Sequence, residues 1–340
     1  MINLQYSLVK PYVIETFFKD VQIEGNNHLI VRPNKLSICK ADMRYYFGMR
    51  DAKVLKERLP MALIHEACGE VVYDPTGTYK KGQKVVLLPN KPGEDEFYLE
   101  NYRLDSMFRS SRADGFMQEV VKIRHEQVVP YEKELPDEVL SFTEFISVGV
   151  HAIDSFTKVS HQRKHHIAVW GDGALSYVIC CLLKSKYPES KITVIGLHPA
   201  KLQYFTFVDE VKTVSQVEAK VQYDHTFECV GGQGAGNAVN QMIDTIQPEG
   251  TIMLLGVSEE PVPINTRMVL ERGLTMQGRS RSTYEDFAEA VRIMTEDKVF
   301  LSRIRHMVSE VVDIENLNDI SKAFDLAKTV NFKVVMNWKI

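Results

Sequence analysis

The chain has 340 residues, enough for two domains with separate apolar cores, and its 44% hydrophobic and 25% charged residues fit a soluble globular protein rather than a disordered one. A formal net charge of -4 offers no long-range pull on a polyanion, so nucleic acid is not an expected partner. The opening MINLQYSLVKPY lacks a basic segment followed by an apolar run, and no apolar stretch reaches about 18 residues, which points to a cytoplasmic protein without signal peptide or membrane span. Five cysteines, Cys39, Cys68, Cys180, Cys181 and Cys229, include no CxxC spacing, so structural disulfides are not expected.

The amino-terminal segments HLIVRPNKLSI, HEACGEVVYDPTG and QKVVLLPNKPGE are runs of Val, Ile and Leu cut by Pro, Gly, Asn and Asp, which predicts a strand-rich, irregular domain. In PDEVLSFTEFISVGVHAIDSF an acidic first turn follows a proline and apolar residues recur at helical spacing. A helix is therefore predicted to begin near Asp137 and to connect two domains. HHIAVWGDGALSYVICCLLKSKYPES then reads as strand, glycine turn and helix, and KITVIG as the next strand. YDHTFECVGG, a helix from about Ala235 to Ile246, and TIMLLGVSE continue the alternation, the signature of a parallel sheet covered by helices. The tail holds strand candidates HMVSEVVDI and KVVMNWK around a helix candidate, NDISKAFDLAKT.

The turn Gly171-Asp172-Gly173-Ala174-Leu175-Ser176 carries a GxGxx pattern. Its first glycine permits a tight turn, its second lets backbone approach a pyrophosphate, and the helix amides that follow face the anion. At the end of the second strand an NAD-preferring site offers an acid to the adenosine ribose. Here Gly196 stands at that position, followed by His198 and Lys201, which favours the 2′-phosphate of NADP(H); two solvent-facing cations are the alternative. Val230 and Val257, at later strand ends, are candidates to border the nicotinamide, or are core strands meeting turns.

Cys39, His65 and Glu66 precede the nucleotide domain and Glu144 lies in the connecting helix. Thiolate, imidazole and carboxylate together suit a catalytic zinc, although their wide separation alone also suits a buried cysteine and two surface glutamates.

The chain resembles the medium-chain zinc alcohol dehydrogenases over essentially its whole length, and within them the polyol dehydrogenase branch. SICKAD is similar to the family's cysteine-containing metal motif, IHEACGEVV to its His-Glu signature, and TEFISVGVHA to the polyol branch's Glu-Pro-Leu-Ser-Val-Gly stretch, with Phe145 in place of proline. The resemblance implies an α/β architecture: a GroES-like catalytic domain over 1–145 and 300–340, and a Rossmann NADP-binding domain over 146–299. It implies Cys39 and His65 as zinc ligands, Glu66 and Glu144 as carboxylates that alternate with water, and Asp42 as an acid supporting them. The segment PNKPGEDEFYLENYRLDSMFRS has no cysteine where relatives carry a four-cysteine lobe, which implies one catalytic and no structural zinc. Ala41 occupies the place of a proton-relaying Ser or Thr, so water or Tyr45 is expected to serve instead.

RYYFG, MFRSSRADGFMQ, WGDGALSY, FECVGG and GLTMQGRSRS further resemble the bacterial ribulose-5-phosphate reductases of teichoic acid or capsule synthesis. That resemblance implies reduction of D-ribulose 5-phosphate to D-ribitol 5-phosphate by NADPH. It also implies a homo-oligomer and coupling to a ribitol-5-phosphate cytidylyltransferase. A phosphorylated pentulose calls for cations, for which Arg44, Arg109 and Arg112 are candidates. Competing readings are an NAD-dependent dehydrogenase of an unphosphorylated polyol and a nucleotide-binding protein without turnover.

Overall fold

The structure, a computed structural model, describes residues 1–22 and 27–340. The chain forms two compact units, Met1–Ser147 with Arg281–Ile340, and Val148–Ser280. The second boundary falls at Ser280, earlier than the 299/300 read from the sequence. The reason is local packing: the helix Tyr284–Glu296 lies against Lys298–Arg305 and against the strand Val128–Pro130 of the first unit.

The first unit is strand-rich, as expected, but Pro33 and Gly69 do not cut their runs: they lie inside strands of ten and eight residues, His28–Ser37 and Glu66–Tyr73, and the register between the two shifts after Pro33. Ile2–Lys10, Val13–Asp20 and Met61–Ala62 form one small sheet. A larger sheet runs Val128–Pro130, Lys84–Leu87, Glu66–Tyr73, His28–Ser37, Lys333–Trp338 and Val308–Ile314, with Val121–Arg124 also paired to His28–Ser37. Alternate side chains such as Leu36, Ala67, Val85, Leu87 and Val121 bury one face of it, together with Phe324 and Trp338 of the carboxyl-terminal tail. Register then fixes the site. Ser37 pairs with Glu66 on one side and Val335 on the other, so one sheet end gathers Cys39, two residues beyond the strand, with Glu66 and Lys333, each the first residue of its own strand.

The connecting helix is broken in two, Asp137–Leu140 and Thr143–Val159. The Ser141 and Thr143 hydroxyls donate to the carbonyls of Glu138 and Leu140, local bonds that compete with a continuous helical ladder.

The second unit is a six-stranded parallel sheet in the spatial order Glu210–Thr213, Lys191–Gly196, His166–Trp170, Tyr223–Glu228, Ile246–Leu254 and Thr275–Gly278. In chain order that is third, second, first, fourth, fifth, sixth, the doubly wound arrangement whose ligand crevice lies at the carboxyl ends of the strands where the order reverses. Its central strands are buried apart from the half-buried His166 at the start of one, as parallel strands covered on both faces require.

Candidate active site

Cys39 caps the helix Lys40–Tyr46, and the carboxylate of Asp42, three residues on, accepts a hydrogen bond from the Cys39 amide at 3.3 Å. The other Asp42 oxygen receives the Ile64 amide at 3.1 Å and the Ser110 hydroxyl at 2.5 Å, and lies 3.1 Å from His65 Nδ1. Burial raises the Asp42 carboxyl, but His65 and these hydrogen bonds outweigh it and hold the group below its ordinary range. An ionised Asp42 keeps the proton of His65 on Nδ1, which leaves Nε2 to face the site.

The ligand atoms of Cys39, His65 and Glu66 lie within 4.8 Å of one another. Tetrahedral zinc bound to sulfur, nitrogen and oxygen needs donors ~3.3–3.6 Å apart, so the three atoms are within reach of one ion. Their electrostatics fit a cation too. Burial opposes a charge on His65, yet Asp42 and Cys39 push its imidazole well above the usual value. For Cys39, burial and Glu66 raise the thiol while Lys333 and His65 lower it. A divalent ion displaces both protons and converts the pair into thiolate and neutral imidazole. Glu144, buried in the first turn of the helix Thr143–Val159, sits with Oε2 at 4.0 Å from His65 Nε2, beside the three-donor group rather than in it. Burial lifts its carboxyl to about 7, with His65 opposing the rise and Glu66 adding to it.

Lys333, unanticipated in the sequence, places Nζ 2.6 and 2.7 Å from the two oxygens of Glu66. Its ammonium also stands 4.1 Å from the ring centroid of Phe145, the residue that replaces the family's proline. A lysine 267 positions away from its partner gives no local signal; a single charge opening the apolar run KVVMNW is the trace it leaves.

The phosphate candidates separate. Arg109 donates to the carbonyls of Asp114 and Lys122 at 3.1 and 3.0 Å and lies over the Phe116 ring, and burial lowers its guanidinium to about 10. Two of its five N–H donors thus hold its own loop together. Arg44 is half-buried in the last turn of its helix and Arg112 is exposed. Tyr45 is 3% exposed and packs in the first unit's core under the Arg50 guanidinium.

In the second unit Gly171 takes a φ of +127°, and a Cβ there would meet Ser176 Oγ at 2.5 Å and the Cys229 carbonyl oxygen at 2.9 Å. Gly173 opens the helix Ala174–Lys186, and a Cβ on it would meet nothing within 4 Å. The turn therefore presents an open cradle at a helix amino end, the shape a pyrophosphate needs. Ala174 and Leu175 in the first turn are half-buried. Gly196, His198 and Lys201 lie at the end of the next strand and on the short helix after it. Val230 and Val257 are 44% and 72% exposed, apolar side chains at the crevice end of the sheet. Both loops are tied by a buried carboxylate the sequence reading passed over. Glu228 accepts the amides of Val230 and Gly231 at 2.7 Å and of Gly256 at 2.8 Å. An acid ending an apolar strand just before a glycine pair is the signal that could have found it.

Comparison with known proteins agrees with both halves of this geometry. Residues 25–136 match the alcohol dehydrogenase GroES-like domain and residues 199–296 the zinc-binding dehydrogenase domain. The chain is 45% identical to ribulose-5-phosphate reductase 1 of Staphylococcus aureus, covering 99% of both proteins. It is 42% identical to the ribulose-5-phosphate reductase of Streptococcus pneumoniae, covering 100% of this chain and 98% of that protein. The crystal structure of S. aureus TarJ in complex with NADPH superposes over the whole of both chains with a TM-score of 0.90 at 41% identity. A GroES-like unit with converging Cys, His and Glu donors, a Rossmann unit with an open glycine cradle, and full-length similarity of this degree lead to one conclusion: the chain belongs to the zinc-binding dehydrogenases, in the group of the bacterial ribulose-5-phosphate reductases.

Proposed function

We propose that this chain reduces D-ribulose 5-phosphate to D-ribitol 5-phosphate with NADPH. The observation that carries the reading is the convergence of Cys39, His65 and Glu66 in a chain 45% identical, end to end, to a ribulose-5-phosphate reductase. Zinc bound there supplies Lewis acidity to the C2 carbonyl, and NADPH supplies the hydride. The chain's own residues prepare these steps. Asp42 fixes the tautomer of His65, Lys333 holds Glu66, and Glu228 sets the two loops that carry Val230 and Val257. Glu144, 4.0 Å from His65 Nε2, is a carboxyl able to hold a proton near neutral pH.

Arg44, Arg109 and Arg112 are the candidates for the substrate phosphate, and Tyr45 or water for the proton route. The same reading includes a homo-oligomer and a cytidylyltransferase that consumes the product. It places the reaction in the cytoplasm; no helix among the described residues is long and apolar enough to cross a membrane.

The deciding assay follows NADPH oxidation by zinc-loaded protein with D-ribulose 5-phosphate, with free ribulose, and with NADH as the alternative donor. Turnover confined to the phosphate ester and NADPH supports the reading. Turnover of free ketoses with NADH replaces it with the general polyol dehydrogenase.

A further inference from the structure

Gly196 ends its strand without the acid that a ribose would use, yet a carboxylate reaches the place from another element. Asp172, the middle residue of the Gly171-Asp172-Gly173 turn, extends to the strand end. Its Oδ2 accepts the amides of Leu197 and His198, each at 2.8 Å, and lies 2.9 Å from His198 Nδ1. The glycine is what admits it: a Cβ at position 196 would stand 2.7 Å from Asp172 Cβ and 3.0 Å from Oδ2. The missing acid and the long reach of Asp172 are therefore one feature.

With three hydrogen bonds on Oδ2, this oxygen has no capacity left for a ribose hydroxyl. The two amides and the imidazole also offset its charge, so it does not repel an incoming anion as a bare carboxylate does. What it does to His198 is directional. Nδ1 must carry a proton to donate to Asp172, so the ring is held in one orientation with Nε2 turned away from the carboxylate. The His198 side chain is 55% exposed while that of Asp172 is 12% exposed, so the ring faces solvent on a buried support. Lys201, three residues on, places an ammonium on the same short helix.

We propose that Asp172 is a positioning residue for cofactor specificity: it holds His198 so that, with the ring protonated at both nitrogens, Nε2–H donates to the adenosine 2′-phosphate of NADPH. The inference rests on the NADPH reading above. The competing role for Asp172 is to cap the Leu197–His198 turn and nothing more; it predicts equal effects on both nicotinamide cofactors.

The test is fluorescence titration of zinc-loaded wild type, Asp172→Asn, His198→Ala and the double variant with NADPH and with NADH. Each single variant is expected to weaken NADPH roughly tenfold, the worth of one charge-assisted hydrogen bond, with NADH nearly unchanged. The double variant is expected to lose no more than either single one, because the two residues act as a unit. Asp172→Asn weakening both cofactors equally, or neither, overturns the inference while leaving the NADPH reading intact. Wild type binding NADH as tightly as NADPH overturns both.

A second measurement needs no variant at Asp172. Nitrogen NMR of the wild-type His198 ring is expected to show a protonated Nδ1, and an Nε2 signal that moves with 2′-phosphoadenosine 5′-diphosphate and not with ADP. An Nε2 signal indifferent to the 2′-phosphate overturns the inference even if the Asn variant fails to fold.

Discussion

Lys333 Nζ is hydrogen-bonded to both carboxylate oxygens of Glu66, and the two side chains are 5% and 0% exposed. Burial lowers the lysine's affinity for its proton, but Glu66, Cys39 and Glu144 outweigh it and keep the ammonium charged. A cation fixed beside the metal site limits how much negative charge Cys39 and two glutamates present to a divalent ion. It also holds Glu66 when no ion is there to do so.

Replacing Lys333 by methionine strands a buried carboxylate. Removing one partner of such a pair costs about 3–5 kcal/mol, so zinc-free Lys333→Met is expected to lose stability on that scale in urea unfolding. Zinc, itself a cation beside Glu66, should restore part of the loss, and Lys333→Met with Glu66→Gln should restore more. Equal losses with and without zinc would show that the pair is independent of the metal site.

Asp42 acts on the metal through His65, and loss of such outer partners typically lowers metal affinity roughly 10–100-fold. Asp42→Asn is expected to fall in that range in a chelator competition. Ser110→Ala removes one of the hydrogen bonds to Asp42 and should have a smaller effect of the same sign. Affinity unchanged in Asp42→Asn would mean that His65 is oriented by packing alone.

Much of this could be read in the sequence because it is local. The strand, glycine turn and helix around Gly171 are contiguous, and a parallel sheet covered by helices follows from alternation, whereas the spatial order of its strands does not. Cys39 and His65 stood out through the residues beside them. Lys333 did not, because nothing near it predicts a partner in a strand that pairs two neighbours away across the sheet. For Arg109 the residue type alone suggested phosphate, and only the three-dimensional course of the loop reveals that carbonyls at Asp114 and Lys122 take two of its donors. The division of the connecting helix at Ser141 was hidden for a related reason, since an apolar stripe at helical spacing survives a short break.

Glu144 gives the zinc-free protein a defined pH dependence. Its carboxyl titrates near 7 in the folded state against an ordinary 4.5. Between those values the unfolded chain has released this proton and the folded chain retains it. Raising the pH through the window therefore costs stability, about 3 kcal/mol in full, and the loss is complete above the folded value. Glu144→Gln, in chelator, should lie flatter across the window and be the more stable protein above it. Parallel stability curves for variant and wild type would sink this account.

Thiol chemistry should single out Cys39. Cys68, Cys180 and Cys181 are fully buried and Cys229 nearly so, whereas Cys39 is partly accessible. Burial lifts the Cys68 thiol to about 12. Native zinc-free protein treated with iodoacetamide is expected to be alkylated at Cys39 first, and zinc should protect it, since a coordinated thiolate is masked. Peptide mapping reads the outcome, and early labelling of Cys68 would contradict the packing around it.

Glu228 supplies the contrast that separates loop architecture from cofactor discrimination. Its carboxylate receives three amides from two loops. A glutamine there keeps one acceptor oxygen and turns an N–H toward amides that also donate, so at least one hydrogen bond is lost and one buried donor is left facing another. Glu228→Gln is expected to cost about 1–3 kcal/mol of stability and to weaken NADPH and NADH by the same factor, roughly tenfold. Asp172→Asn is expected to change the ratio of the two affinities instead. If Glu228→Gln altered that ratio, the loops at Val230 and Val257 would be reading the 2′-phosphate end of the cofactor, and their assignment to the nicotinamide side would have to be abandoned.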